Sequence, residues 1–161
     1  MIESLKQKLN DLGAKKFQFL GPLTSFITDI TLVIYVNKVI VPRVIQEKTI
    51  IQALILQGYK VQDITADSMK MIQDLVSSSV SIMFWAILVY NFIIYALAMK
   101  NINWSKKYIK GYAFSAVILS AFEVVGVFIT SKQINYVTLI TMITYFFVYF
   151  GYRHFMQKKE L

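Results

Sequence analysis

Apolar residues along this chain gather in long blocks, and four of those blocks have the length of a membrane crossing. The first, residues 20–42, reads LGPLTSFITDITLVIYVNKVIVP; the others cover residues 76–99, 111–131 and 134–152. A helix rises about 1.5 Å per residue, so about 20 apolar residues bridge a hydrocarbon core of about 30 Å. The pattern predicts an all-α fold: a polytopic membrane protein forming a single transmembrane domain, a four-helix bundle.

The intervening segments differ from the spans in pattern. Residues 1–19 place Ile2, Leu5, Leu9 and Leu12 at helical spacing with lysines between them, and Gly13 follows as a stop, which predicts an amphipathic segment on the cytoplasmic leaflet. Residues 43–75 contain IIQALIL, too short to span, then Gly58, then Thr65 as a helix N-cap. This predicts an extracytoplasmic helical cap whose second helix runs into the second span. Residues 100–110 form a loop and 153–161 a tail.

Charge sets the orientation. The chain has 17 Lys+Arg against 9 Asp+Glu, a net +8. In a soluble protein that balance would suggest a nucleic-acid partner. Here 57% of residues are hydrophobic and only 16% charged. The basic residues concentrate in 1–19, 100–110 and 153–161, which the positive-inside rule assigns to the cytoplasm. Both termini are therefore expected inside a cell membrane, with the lipid bilayer as partner and no nucleic acid. The first span follows a long basic segment and precedes no small-residue cleavage site, so it is expected to be a retained anchor.

Each span carries a polar stripe. In 20–42, Gly21, Thr24, Ser25, Thr28, Asp29, Thr31, Tyr35 and Lys38 share one half of the helix, opposite Ile27, Ile30, Val33 and Ile34. The second stripe is Ser77, Ser81, Leu88, Asn91 and Tyr95, and the third is Tyr112, Ala116, Leu119, Glu123, Gly126 and Thr130. The fourth is Thr138, Thr141, Tyr145, Tyr149 and Tyr152. Stripes of this kind hold membrane helices together, because hydrophobicity gives helices no reason to associate in lipid. They also suit self-association or contact with another membrane protein.

The buried charges are the candidate chemistry. A charge at mid-membrane costs about 2.5–3.5 kcal/mol on insertion scales, so Asp29 and Glu123 each need shelter. Two arrangements are open: Glu123 pairs with Lys38 while hydroxyls such as Thr28 and Ser25 hold Asp29, or both carboxylates share a polar cavity that takes up a proton or cation. Asn91 is a further polar neighbour. With no cysteine, and with His154 lacking ligand-spaced neighbours, no metal, cofactor or enzymatic centre is expected. The functional expectation is an oligomeric channel or transporter that moves protons, cations or a small solute past Asp29 and Glu123. The alternative is a non-transporting accessory, immunity or assembly partner of another membrane protein.

Overall fold

In the computed structural model, which describes residues 2–60 and 65–158, every regular element is helical. The order is α1 (Ile2–Leu12), α2 (Ala14–Tyr35), a π-helical turn (Val36–Ile40), α3 (Val41–Val44), α4 (Glu47–Leu56), α5 (Ala66–Met99), α6 (Asn103–Ser131) and α7 (Tyr136–Gln157). Residues 61–64 of the expected cap and 159–161 of the tail lie outside the described residues.

Three helical stretches are long and apolar enough to cross a membrane: Ala14–Val44, Ala66–Met99 and Asn103–Thr130. They expose many large apolar side chains, including Ile27, Ile82, Leu119 and Phe122, and Trp85 and Trp104 are also exposed. That surface is what lipid would cover. α7, expected as a fourth crossing, differs from these three. It is not among the stretches of that length and apolarity, and one face is turned inward: Thr138, Thr141, Tyr145, Val148, Gly151, Tyr152 and Phe155 are all buried.

The first helix of the span starts earlier than the prolines suggest. Pro22 lies inside α2 rather than at its start. It has no N–H to give the Gln18 carbonyl, and membrane helices tolerate that loss. Pro42 has a clearer consequence. Val41 N–H donates to the Val36 carbonyl five residues back, making the π-helical turn that contains Lys38 and precedes the proline. At the start of α5, Ser68 N–H donates to Thr65 Oγ1 at 3.2 Å. The 34 residues of α5 extend about 51 Å, longer than a hydrocarbon core of about 30 Å.

The chain divides into two compact units, Met1–Ile30 with Val89–Leu161, and Thr31–Leu88. In the second, Gln73 Nε2 donates to the Ile45 carbonyl at 2.9 Å, and Val33, Val41, Ile50, Met69 and Leu88 are buried. In the first, α6 and α7 pack together across a turn in which Lys132 adopts a left-handed conformation at φ 57°. The α5–α6 turn is tied by polar atoms. Lys106, almost fully buried, donates to the Asn101 and Asn103 carboxamides, and Gln18 Nε2 donates to the Met99 carbonyl at 3.0 Å.

α1 continues into α2 through Gly13, whose φ of 78° suits glycine. That bend carries Phe17 into a fully buried site among Phe147, Tyr152 and Phe155. Gly151 makes the site possible, since a Cβ there would lie 2.2 Å from the Phe17 ring. The ring is fully buried against three other rings, so something must shift to admit a Cβ. Gly151→Ala is expected to destabilise the protein by about 1–3 kcal/mol through overpacking. Gly126→Ala, where nothing lies within 4 Å, should be neutral or stabilising by up to about 1 kcal/mol. Thermal unfolding of both variants in detergent compares them directly.

Candidate functional site

Among the described residues, Asp29 carries the most buried carboxylate of the first unit, 4% exposed. The spacing of four residues that puts Gly21, Ser25 and Asp29 on one face of α2 also turns that face inward, and all three are buried. Asp29 Oδ2 accepts from Asn91 Nδ2 at 3.0 Å and from the Tyr95 hydroxyl at 2.6 Å, both on α5. Oδ1 accepts from the Tyr112 hydroxyl of α6 at 3.0 Å and from the Tyr145 hydroxyl of α7. One oxygen therefore holds α5 and the other holds α6 and α7.

An ionised carboxylate only accepts, with about four lone-pair sites on two oxygens. Four donors fill that capacity. Each hydrogen bond to a charged group contributes about 1.5–3 kcal/mol, and together they offset a desolvation cost of several kcal/mol. All four donors are uncharged. Among the described residues no cation pairs with Asp29.

Packed rings form a wall behind the donors. Tyr112 meets Tyr145 edge-on with ring centroids 5.7 Å apart and stacks on Tyr108 at 6.1 Å. The Tyr108 hydroxyl donates to Asn91 Oδ1 at 3.2 Å, which orients the amide so that its NH₂ faces Asp29. Phe26 packs on Tyr95 at 6.5 Å and on Phe92 at 5.1 Å.

The other candidate residues sit elsewhere. Ser25 Oγ donates to the Gly21 carbonyl at 3.0 Å and Thr28 Oγ1 to the Thr24 carbonyl at 2.8 Å, each bonding back into its own helix. Glu123 Oε1 accepts from Asn135 Nδ2 at 3.0 Å and Thr138 Oγ1 at 2.9 Å, across the α6–α7 turn. Glu123 itself is exposed. On α6 it lies eleven residues beyond Tyr112, about 16 Å along the axis. The two carboxylates thus occupy separate sites rather than a shared cavity. Lys38 belongs to the second unit, exposed in the π-helical turn.

The third stripe divides along its length, with Tyr112 and Ala116 half-buried and its later members exposed. On α6 the buried positions are Ser105, Lys106, Ile109, Ala113 and Ser120, while Leu119, Glu123, Gly126 and Thr130 face outward. Tyr95, Tyr112 and Tyr145 are the site residues that the stripes contain without marking. Their signal is that each lies on the inward face of a different helix, with Asn91 one turn from Tyr95. Tyr152 is also fully buried, and its hydroxyl has no hydrogen-bond partner among the described residues.

Compared with known proteins, the chain matches no family, no curated protein and no solved structure.

Asp29→Asn replaces one acceptor oxygen with an NH₂ that faces a donor, so at least one buried donor loses its partner. A loss of about 1–3 kcal/mol in unfolding free energy is expected for each group orphaned. Tyr145→Phe should cost about 1.5–3 kcal/mol by removing one charge-assisted bond. Chemical denaturation in detergent measures both.

Proposed function

We propose that this is an integral protein of the cell membrane that crosses the bilayer four times, through α2 with α3, α5, α6 and α7, with both termini inside. In this reading several copies assemble, and the assembly moves protons, small cations or a small solute, with Asp29 as the group that takes up and releases charge. The observation that carries it is a buried carboxylate met by four neutral donors.

A purely structural tie between these helices would need no charge. A neutral amide or hydroxyl could bridge them without the insertion cost of about 2.5–3.5 kcal/mol that a carboxylate carries. What a carboxylate adds is a state that one proton can change. Protonation places an O–H on one oxygen, which becomes a donor facing donors. A tyrosine hydroxyl on that oxygen must then rotate to accept the new O–H, or withdraw, and tyrosine can do either. Uptake at Oδ1 would loosen α6 and α7; uptake at Oδ2 would loosen α5.

Two further features support a path. The unpartnered Tyr152 hydroxyl lies seven residues from Tyr145 on α7, about 10 Å towards the cytoplasmic end in this topology. It offers a polar stop between Asp29 and that end. Glu123 offers another on the opposite side, about 16 Å along α6 from Tyr112.

Reconstitution into liposomes with a pH-sensitive dye and an imposed potential tests the reading. The parent protein is expected to dissipate a proton gradient, and folded Asp29→Asn to behave as empty liposomes do. Glu123→Gln should slow the flux. Absence of any proton, cation or solute flux from folded parent protein overturns the proposal.

One observation favours the alternative, a non-transporting accessory, immunity or assembly partner. Glu123 is exposed on the same helix as Leu119, Phe122 and Val125, all exposed as well. A carboxylate on such a face suits a neighbouring membrane protein. Under this reading a photo-cross-linker at position 122 captures one foreign membrane protein, and flux is absent.

A further inference from the structure

α1 is fixed on one side and open on the other. Leu9 is fully buried, and Asn10 Oδ1 accepts from Lys158 Nζ at 2.8 Å and lies 2.8 Å from His154 Nε2, tying α1 to the end of α7. The open side forms one wall of a crevice of about 590 Å³. Leu5 and Lys8 of α1 face Val117 of α6 and Ile143, Phe146 and Phe147 of α7 across it. A smaller pocket of about 240 Å³ adjoins α1 through Lys6 and α7 through Phe150 and Arg153. Phe146, which lines the first, stacks on Phe150, which lines the second, with ring centroids 6.1 Å apart.

We infer that this crevice binds one anionic phospholipid of the cytoplasmic leaflet, with an acyl chain along Val117, Ile143 and Phe146 and the phosphate at the Lys8 edge, within the field of Lys6 and Arg153. The inference rests on the proposed membrane topology but not on transport. Its volume falls within the range of about 300–1,000 Å³ typical of small-molecule sites. Its walls are apolar except at the α1 edge, so water gains little there and a hydrocarbon chain gains much.

The charge at that edge selects the head group. Lys6, Lys8 and Arg153 are exposed and have no carboxylate partner among the described residues. The acidic residues of α1, Glu3 and Asp11, are also exposed and outside the crevice lining. A segment with lysines at the membrane edge attracts anionic lipid in the same way as other basic juxtamembrane segments. A ligand with a long apolar part and one anionic end suits both the apolar walls and the basic edge; inorganic phosphate would meet only the edge.

Native mass spectrometry of the full chain, released from micelles after incubation with equal amounts of dioleoyl phosphatidylglycerol and dioleoyl phosphatidylcholine, tests this. One phosphatidylglycerol adduct is expected in preference to phosphatidylcholine. Lys6→Gln with Lys8→Gln should weaken the preference about fivefold for each lysine. Ile143→Trp, at an exposed crevice position, should abolish the adduct while leaving the circular dichroism spectrum unchanged. Equal retention of both lipids, an adduct that survives Ile143→Trp, or competition by oleate as strong as by phosphatidylglycerol would overturn the inference. The adduct is read without flux, so its loss leaves the transport proposal standing, and a flux failure leaves the lipid site standing.

Discussion

A carboxylate placed among apolar helices must find enough hydrogen-bond donors to replace water. In this protein the donors that Asp29 finds come from three other helices. Without the hydrophobic effect to drive helices together in lipid, directional polar contacts gain weight relative to packing. Here they meet at a single side chain, and the division of its two oxygens between α5 on one hand and α6 with α7 on the other makes it the joint of the first unit. Removing any one helix from the set would leave part of the charge without a partner.

α7 is the helix on which this depends most. Its inward face combines Tyr145 for the carboxylate, Thr138 for Glu123 and Gly151 for Phe17. Its other face exposes Ile140, Ile143 and Phe146, so the helix keeps its polar atoms inside and apolar side chains outside. Phe17, held by the gap at Gly151, fixes the end of this helix opposite its Tyr136 start, so the aromatic wall around Asp29 is supported from beyond the polar site itself.

Much of this arrangement could be read from residue order. The apolar blocks, the inward faces of α2 and α7, and the choice of Asp29 as the group needing shelter all follow from periodicity and the cost of a buried charge. The donors were less legible. Serine and threonine stood nearest to Asp29 in sequence, but in a helix their short side chains reach their own backbone carbonyls first, as Ser25 and Thr28 do. Tyrosine, with its hydroxyl at the end of a rigid ring, crosses the space between helices, and three tyrosines do so. The exposure of Glu123 was hidden for a different reason. At about 100° per residue Glu123 lies within about 20° of Tyr112 on α6, so periodicity marks the shared face but not how far along it the covering helices reach. Near the α6–α7 turn that face is exposed.

The two carboxylates therefore do not share a cavity, as one of the two arrangements open from residue order would have had them do: Asp29 is enclosed and fully bonded, and Glu123 is at the surface with two neutral partners. The central claim is that the charge on Asp29 and the orientation of its tyrosines are one coupled system. Infrared difference spectroscopy during acidification, on protein with isotope-labelled aspartate, tests it most directly. The account expects the carboxylate band that Asp29→Asn removes to vanish in step with a change in tyrosine hydroxyl and ring modes. If that band vanishes while the tyrosine modes stay constant, the coupling does not exist and Asp29 is only an anchor.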